Sequence, residues 1–253
     1  MPSSICITNQ KGGVGKTTLA HALARLSSRD VPTTVIDLDP QGSLTSCFIQ
    51  DLPETANVRL LFEKTAKGES RLQELTPVQV APNLFLLGSD VSLAVYEVEA
   101  GGPGRFYRLR TYLSTHADGW TLVDTPPNLA VLTVNALLAC DFALIPVDAS
   151  KFSVRGLADL FSTMHELNTD LRSGPGQQLK VAGIVLSNVN ARLSYAQKVI
   201  DNLRQQYAPF IMDTMIPAST RVREATAEGR IVTEGPAAPA FEAFYAELQR
   251  RIV

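Results

Sequence analysis

The chain has 253 residues, 45% apolar and 19% charged, with a formal net charge of −2. That is the length and apolar content of one large α/β domain spanning residues 1–253, and the charge argues against a binder that is basic throughout. No apolar run approaches the roughly 20 residues that cross a bilayer, and Cys6, Cys47 and Cys140 are odd in number with no C-x-x-C pair, as in a reduced cytosolic protein.

In chain order, residues 4–8 read as a short buried strand that begins too early to leave room for a secretory leader. A glycine-rich loop follows, and residues 18–26 read as a helix with Leu19, Ala22, Leu23 and Leu26 on one face. Thr33–Asp37 is a β-branched strand ending in carboxylates. Residues 43–82 show no readable period. Further strands are expected at 83–87, 121–124, Phe142–Val147, 181–186 and 211–216, and helices at 154–171 and 195–207. Residues 101–104 and 173–176 read as surface loops. Short apolar strands alternating with helices predict an α/β fold: a mostly parallel central sheet with helices on both faces. Ligands of such sheets bind at the C-terminal ends of the strands. Lys11 to Thr18, Asp37, Asp39 and Asp124 all fall at such ends.

The loop is Lys11-Gly12-Gly13-Val14-Gly15-Lys16-Thr17-Thr18. Glycines let backbone N–H groups crowd a polyphosphate, a lysine meets the β/γ-phosphates, and a threonine hydroxyl suits Mg²⁺. The helix that follows adds its partial positive charge. The ordinary form G-x-x-x-x-G-K-[ST] fails by one residue, since Gln10 stands where its first glycine belongs, and a second lysine, Lys11, sits inside the loop. Further on, Asp124 leaves a buried apolar strand, which is costly unless a cation or donors receive it.

KGGVGKTT resembles the deviant Walker A box of the ParA/MinD superfamily. The resemblance implies that Gly12, Gly13, Val14, Gly15, Lys16, Thr17 and Thr18 bind ATP within the subunit, and that Lys11 reaches a partner's nucleotide across a homodimer. Asp37-Leu38-Asp39-Pro40-Gln41-Gly42 resembles the second box, implying that Asp39 positions the attacking water and that Asp37 helps organise the Mg²⁺ water shell. Leu122-Val123-Asp124-Thr125-Pro126-Pro127 resembles the Walker B box, with Asp124 holding Mg²⁺ through water and 125–129 as a γ-phosphate switch. Asn188 and Pro217 are the implied adenine contacts.

The resemblance is strongest to ParA/Soj partition ATPases. It implies an ATPase whose dimer binds DNA without sequence preference, through Arg221 and Arg223 first among Arg192, Lys198, Arg204, Arg221, Arg223 and Arg230. It further implies a ParB-like adaptor that accelerates hydrolysis, and a cytoplasmic, nucleoid-associated protein with no membrane contact. A basic surface is confined to residues 151–253, which carry 12 Lys+Arg against 10 Asp+Glu, where residues 1–150 carry 11 against 15. Two departures from the family pattern stand out: Asp148-Ala149-Ser150-Lys151-Phe152 replaces a Cys-Glu-aromatic stretch, and Ala218 replaces an arginine. The alternatives are a MinD-like membrane-associated regulator, a cluster-bearing reductase, and a ParA-like ATPase that positions another cargo. The first needs a basic amphipathic tail, whereas Phe241, Phe244, Tyr245, Leu248 and Ile252 read as a core-facing helix stripe.

Overall fold

The computed structural model describes residues 3–66, 70–98, 102–116, 118–172, 174, 176–190 and 194–252. In chain order, β1 (Ser3–Ile7) leads through the glycine loop into α1 (Lys16–Ser27), and β2 (Thr33–Asp37) into the single turn α2 (Ser43–Ser46). Short 3₁₀ turns then lead to the hairpin of β3 (Val78–Ala81) and β4 (Leu84–Leu87), followed by α3 (Val95–Val98), α4 (Arg108–Leu113) and β5 (Trp120–Asp124). The rest alternates: α5 (Val131–Ala139), β6 (Phe142–Val147), α6 (Lys151–Asp170), β7 (Lys180–Val189), α7 (Ser194–Tyr207), β8 (Ile211–Pro217), α8 (Thr220–Ala227) and α9 (Ala237–Arg251).

The strands form one sheet in the order β3-β4-β2-β5-β1-β6-β7-β8. All neighbours are parallel except β3 and β4. Side chains alternate between two cores, as the period of two requires. Cys6, Ile36, Val123, Ile145 and Leu186 pack with α5, α6 and α7 on one face. Ile5, Val35, Leu122, Leu144 and Val185 pack with α1 and α9 on the other. Both faces are therefore covered by helices, as the sequence predicts. Register then sets the site. Asp124 on β5 stands level with Ile7 on β1 and with Asp37 on β2, so two carboxylates end adjacent strands beside the glycine loop.

The differences from expectation have local causes. Asn83, expected to open a strand, is a turn residue at φ 56°, and β4 starts one residue later. The antiparallel edge β3 sits inside the stretch that showed no pattern. Of the expected loops, Gly101, Ser173 and Pro175 lie outside the described residues, and Pro103–Tyr107 winds into a 3₁₀ turn. Cys6 and Cys140, far apart in sequence, meet in the core, where burial pushes the Cys140 thiol well up. All three cysteines are buried, which removes the surface pair that a cluster-bearing reductase needs. The tail forms α9, with Phe241, Phe244 and Leu248 at 1% exposure or less. Its Glu247 carboxylate accepts from the Asp213 and Thr214 amides, both at 2.9 Å, and so blunts the β8 edge. That helix face packs in the core and is not a membrane anchor. Among the described residues no helix is long and apolar enough to cross a membrane.

His21 lies in the middle of α1 at 1% exposure, with Nε2 unpartnered and the Phe48 ring 5.1 Å away. Burial, aided by the nearby Arg25 charge, lowers its pKa to about 4. The unfolded chain takes up this proton near pH 6.5, so the folded state loses stability as pH falls from there toward 4. His21→Leu is expected to flatten that slope. Urea midpoints at pH 7.5 and 5.0 check it: an equal acid loss in the variant would clear His21 of the effect.

Candidate nucleotide site

Loop geometry comes first. Gly13 and Gly15 hold φ of 75° and 91°, the left-handed region that side chains avoid, and Gly15 is the N-cap of α1. A Cβ on Gly15 would also meet Ser187 Oγ at 3.3 Å. Two neighbouring strands brace this turn. Ser187, near the end of β7, donates to the Val14 carbonyl. Asn9, just past β1, donates to the Pro146 carbonyl of β6 at 2.7 Å and accepts from the Lys11 amide at 2.9 Å. The loop is thus held in shape by its own protein.

The two loop lysines occupy different places. Lys16 is 7% exposed; its ammonium donates to the Asn9 and Lys11 carbonyls at 3.1 and 3.3 Å. Burial pulls its pKa down, against the opposing pull of Asp124 and Asp39. Lys11 turns away and is held by Asp148 at 2.5 Å and Ser150 at 2.8 Å.

The Asp124 carboxylate has no exposure. One oxygen accepts from Thr17 Oγ1 at 2.7 Å, and the other, Oδ1, has no partner. Burial, and the Asp37 charge after it, raise its pKa well above the carboxylate range, while Thr17 and Lys16 oppose them. An orphaned buried carboxylate oxygen beside a threonine hydroxyl fits a hard divalent cation. Mg²⁺ uses one or two carboxylates together with water and substrate phosphates rather than an all-protein cage. Among the described residues no group of three or more His, Cys, Asp or Glu is placed to hold a metal ion by itself.

A cleft of about 410 Å³ opens over this group. It is lined by Gly12, Gly13, Gly15, Lys16, Thr17 and Thr18 of the loop and the start of α1, by Asp39, Ser43 and Pro127, and by Asn188, Pro217, Ser219 and Arg223. Asn188 holds φ 53° within β7, and Val189 pairs with Pro217 of β8, so the two expected base contacts arrive together from adjacent strands.

Asp124 does not line the cleft and meets it through Thr17, and four other expected site residues stand elsewhere. Val14 is fully buried and does not line the cleft; its carbonyl, held by Ser187, is the part that shapes the loop. Lys11 does not line it either, because Asp148 and Ser150 hold it. Asp37 is fully buried, its oxygens accepting from the Asp39 amide at 3.0 Å and from the Thr45 amide and hydroxyl at 2.9 and 2.8 Å. It shapes the turn that presents Asp39, and burial lifts its pKa to about 6. Arg221 lies out in solvent, 3.9 Å from Glu234, whereas Arg223 borders the nucleotide cleft. Lys198, Arg204 and Arg230 are exposed, and Arg192 lies outside the described residues. Sequence reading missed three braces: Asn9, Ser187, and Ser89, which donates to the Asp39 carbonyl at 2.6 Å. An asparagine directly after a buried strand was the one available signal.

The fold and this cleft define a P-loop nucleotide-binding protein, and a family model described as an AAA domain matches residues 3–174. The chromosome partitioning protein ParA of Caulobacter vibrioides is 32% identical, over 98% of this chain and 93% of its own. The chromosome-partitioning ATPase Soj of Thermus thermophilus is 33% identical, over 98% and 96%. The chain belongs to the ParA/Soj family of partition ATPases. In fold it matches a putative plasmid partition protein of Borrelia burgdorferi bound to AMPPNP, with TM-score 0.84, 24% identity and full coverage of both chains. The apo McdA structure from Cyanothece also gives TM-score 0.84, at 20% identity over 99% of each chain.

Asp124→Asn removes a buried charge but keeps the Thr17 acceptor. It is expected to stabilise the nucleotide-free protein and to abolish the Mg²⁺ dependence of nucleotide binding. Denaturation midpoints together with nucleotide titrations at zero and millimolar Mg²⁺ test both halves. Lower stability in the variant would mean that the carboxylate is already satisfied without metal.

Proposed function

We propose that the protein, as one P-loop ATPase domain over residues 1–253, is an ATP-driven partition switch. Two copies clamp two ATP molecules face to face; the clamped state grips DNA without sequence preference, and hydrolysis opens it. The observation that carries this reading is a single cleft lined by the glycine loop, Lys16, Thr17, Asp39 and the β7–β8 rim, with the buried Asp124 carboxylate bonded to Thr17. The matched relatives are ParA and Soj proteins, which supports the partition role.

In this reading the loop amides and the α1 N-terminus take the phosphates, and Lys16 exchanges its carbonyl partners for phosphate oxygens. Mg²⁺, when bound, neutralises charge developing on the phosphates. Thr17 and Asp124 would hold it, with Asp37 acting from behind through the turn it shapes. Asp39, fixed by its Gln41 turn and by Ser89, orients the attacking water. Asn188 and Pro217 frame the base, and Arg221 and Arg223 reach DNA phosphate from α8, where Arg223 at the cleft edge links that surface to nucleotide occupancy. Lys11 would complete the partner's site. A ParB-like adaptor that accelerates hydrolysis then sets the lifetime of the clamp, in the cytoplasm and on the nucleoid.

Lys16→Ala is expected to weaken ATP binding at least roughly tenfold, and Lys11→Ala to spare monomer binding while blocking the ATP-dependent dimer. Isothermal titration and sedimentation separate the two; ATP affinity unchanged in Lys16→Ala sinks the phosphate assignment. Asp39→Ala should lower turnover by roughly 100-fold or more and trap the dimer. Wild-type phosphate release in that variant would remove Asp39 from the chemistry.

The DNA arm is tested by titration with ATP, with ADP and without nucleotide, at several salt concentrations. Arg221→Glu combined with Arg223→Glu removes about four phosphate contacts per dimer, so the log–log salt slope should flatten by about 3–4. An unaltered slope places the DNA surface elsewhere.

A further inference from the structure

Helix α8 meets the nucleotide machinery at both of its ends. At its start, Ser219, Val222 and Arg223 line the cleft. At its finish the chain leaves through Gly229, at φ 66°, with the Gly229 amide donating to the Thr226 carbonyl at 3.0 Å and the Arg230 amide to that of Ala225 at 2.8 Å. This helix stop favours glycine, and here the surroundings demand it as well. A Cβ on Gly229 would come within 2.3 Å of the Cys47 carbonyl oxygen. Cys47 is the C-cap of α2. That turn follows the Asp39 loop, lines the cleft with Ser43 and holds Asp37 through Thr45. Arg25 of α1 ties the junction together. Its Nη2 donates to the Gly229 carbonyl at 2.8 Å, and its guanidinium carbon lies 5.1 Å from the centroid of the Phe48 ring. His21, one turn earlier on α1, packs on the same ring at 5.1 Å.

We propose that Arg25, Phe48 and Gly229 are positioning residues that tie the end of α8 to α2, so that the Asp39 turn and the arginines of α8 shift together. The proposal rests on the nucleotide-gated DNA switch described above, and it adds the contact through which the gate works. Gly229 puts backbone against backbone, with no side chain between the two elements to absorb a displacement. Arg25 closes the junction with a charged donor on one side and a cation over a ring on the other. A nucleotide that draws on Ser43 and Asp39 at one end of α2 therefore moves Cys47 at the other, and Gly229 with it. Linkage makes this reciprocal: the factor by which nucleotide raises DNA affinity is the factor by which DNA raises nucleotide affinity. Cutting the tie lowers both factors equally.

Arg25→Met keeps the apolar stem and removes the donor and the charge; Phe48→Leu keeps apolar bulk and removes the ring face. Both leave Arg221 and Arg223 in place. In the full-length protein, the ratio of DNA affinities with AMPPNP–Mg²⁺ and with ADP is expected to fall about fivefold in Arg25→Met, and by less in Phe48→Leu. AMPPNP affinity without DNA should stay at the wild-type value, and the gain in AMPPNP affinity on adding DNA should shrink by the same factor as the ratio. Amide exchange over residues 224–232, read by peptide mass spectrometry, gives a test without DNA. AMPPNP–Mg²⁺ should slow it several-fold in the wild type and leave it unchanged in Arg25→Met. A wild-type affinity ratio in Arg25→Met, or undiminished slowing of exchange there, overturns the tie. If the wild type binds DNA equally with AMPPNP and ADP, the DNA switch itself fails, and the exchange comparison alone decides whether Arg25 couples α8 to the cleft.

Discussion

The site is organised around a buried carboxylate that its own protein leaves half satisfied. Asp124 ends a central strand of a sheet covered on both faces, at zero exposure, with Asp37 level with it on the next strand. Two acids so placed repel each other in a poor dielectric, and burial raises the pKa of both. Asp37 is relieved by three donors from the following turn, whereas Asp124 has only Thr17 for one oxygen and nothing for the other. An isolated domain gains nothing from that arrangement. It makes sense where a cation and a polyphosphate complete the site, because the desolvation cost is then met at binding.

The same logic explains why so much of the loop is already tied down. A phosphate cradle made only of backbone amides must be rigid before the ligand arrives, or ordering it would consume the binding energy. Asn9 ties the loop to β6, Ser187 ties it to β7, and the left-handed Gly15 starts α1 at the angle these ties require. Ser89 and Thr45 do the equivalent for the turn carrying Asp39. What is left mobile is side-chain charge: Lys16 rests on two carbonyls and Lys11 on Asp148. The frame is fixed and the cations are on loan.

These two layers were unequally legible. The glycine loop, the strand before it and the helix after it could be read because each residue type answers a local demand. The strands Thr33–Asp37 and Phe142–Val147 came out at their exact bounds because β-branched or apolar runs end at turn residues. Residues 43–82 could not be read, since their described part forms a single helical turn, 3₁₀ turns and a short edge strand, elements with neither the period nor the length to leave a pattern. The braces failed to register for another reason. Ser187 and Val14 lie 173 positions apart, and Ser89 and Asp39 lie 50 apart. A serine in a strand carries no mark of the carbonyl it will meet. Asp37 is instructive in the opposite direction: an acidic box suggests a metal, yet its neighbours Asp39 and Thr45 take up its oxygens.

Burial divides the labour of the two lysines in a way that their sequence cannot. Lys16, 7% exposed and facing Asp124 and Asp39, lines the cleft itself. Lys11 stands outside that cleft, a third exposed, with its amide fixed by Asn9 and its side chain held by Asp148. A lysine that served its own phosphates would gain by burial beside Lys16; two ammonium groups in one desolvated pocket would instead repel. Placing the second cation outside the cleft, neutralised by Asp148, is the arrangement with the lower electrostatic cost.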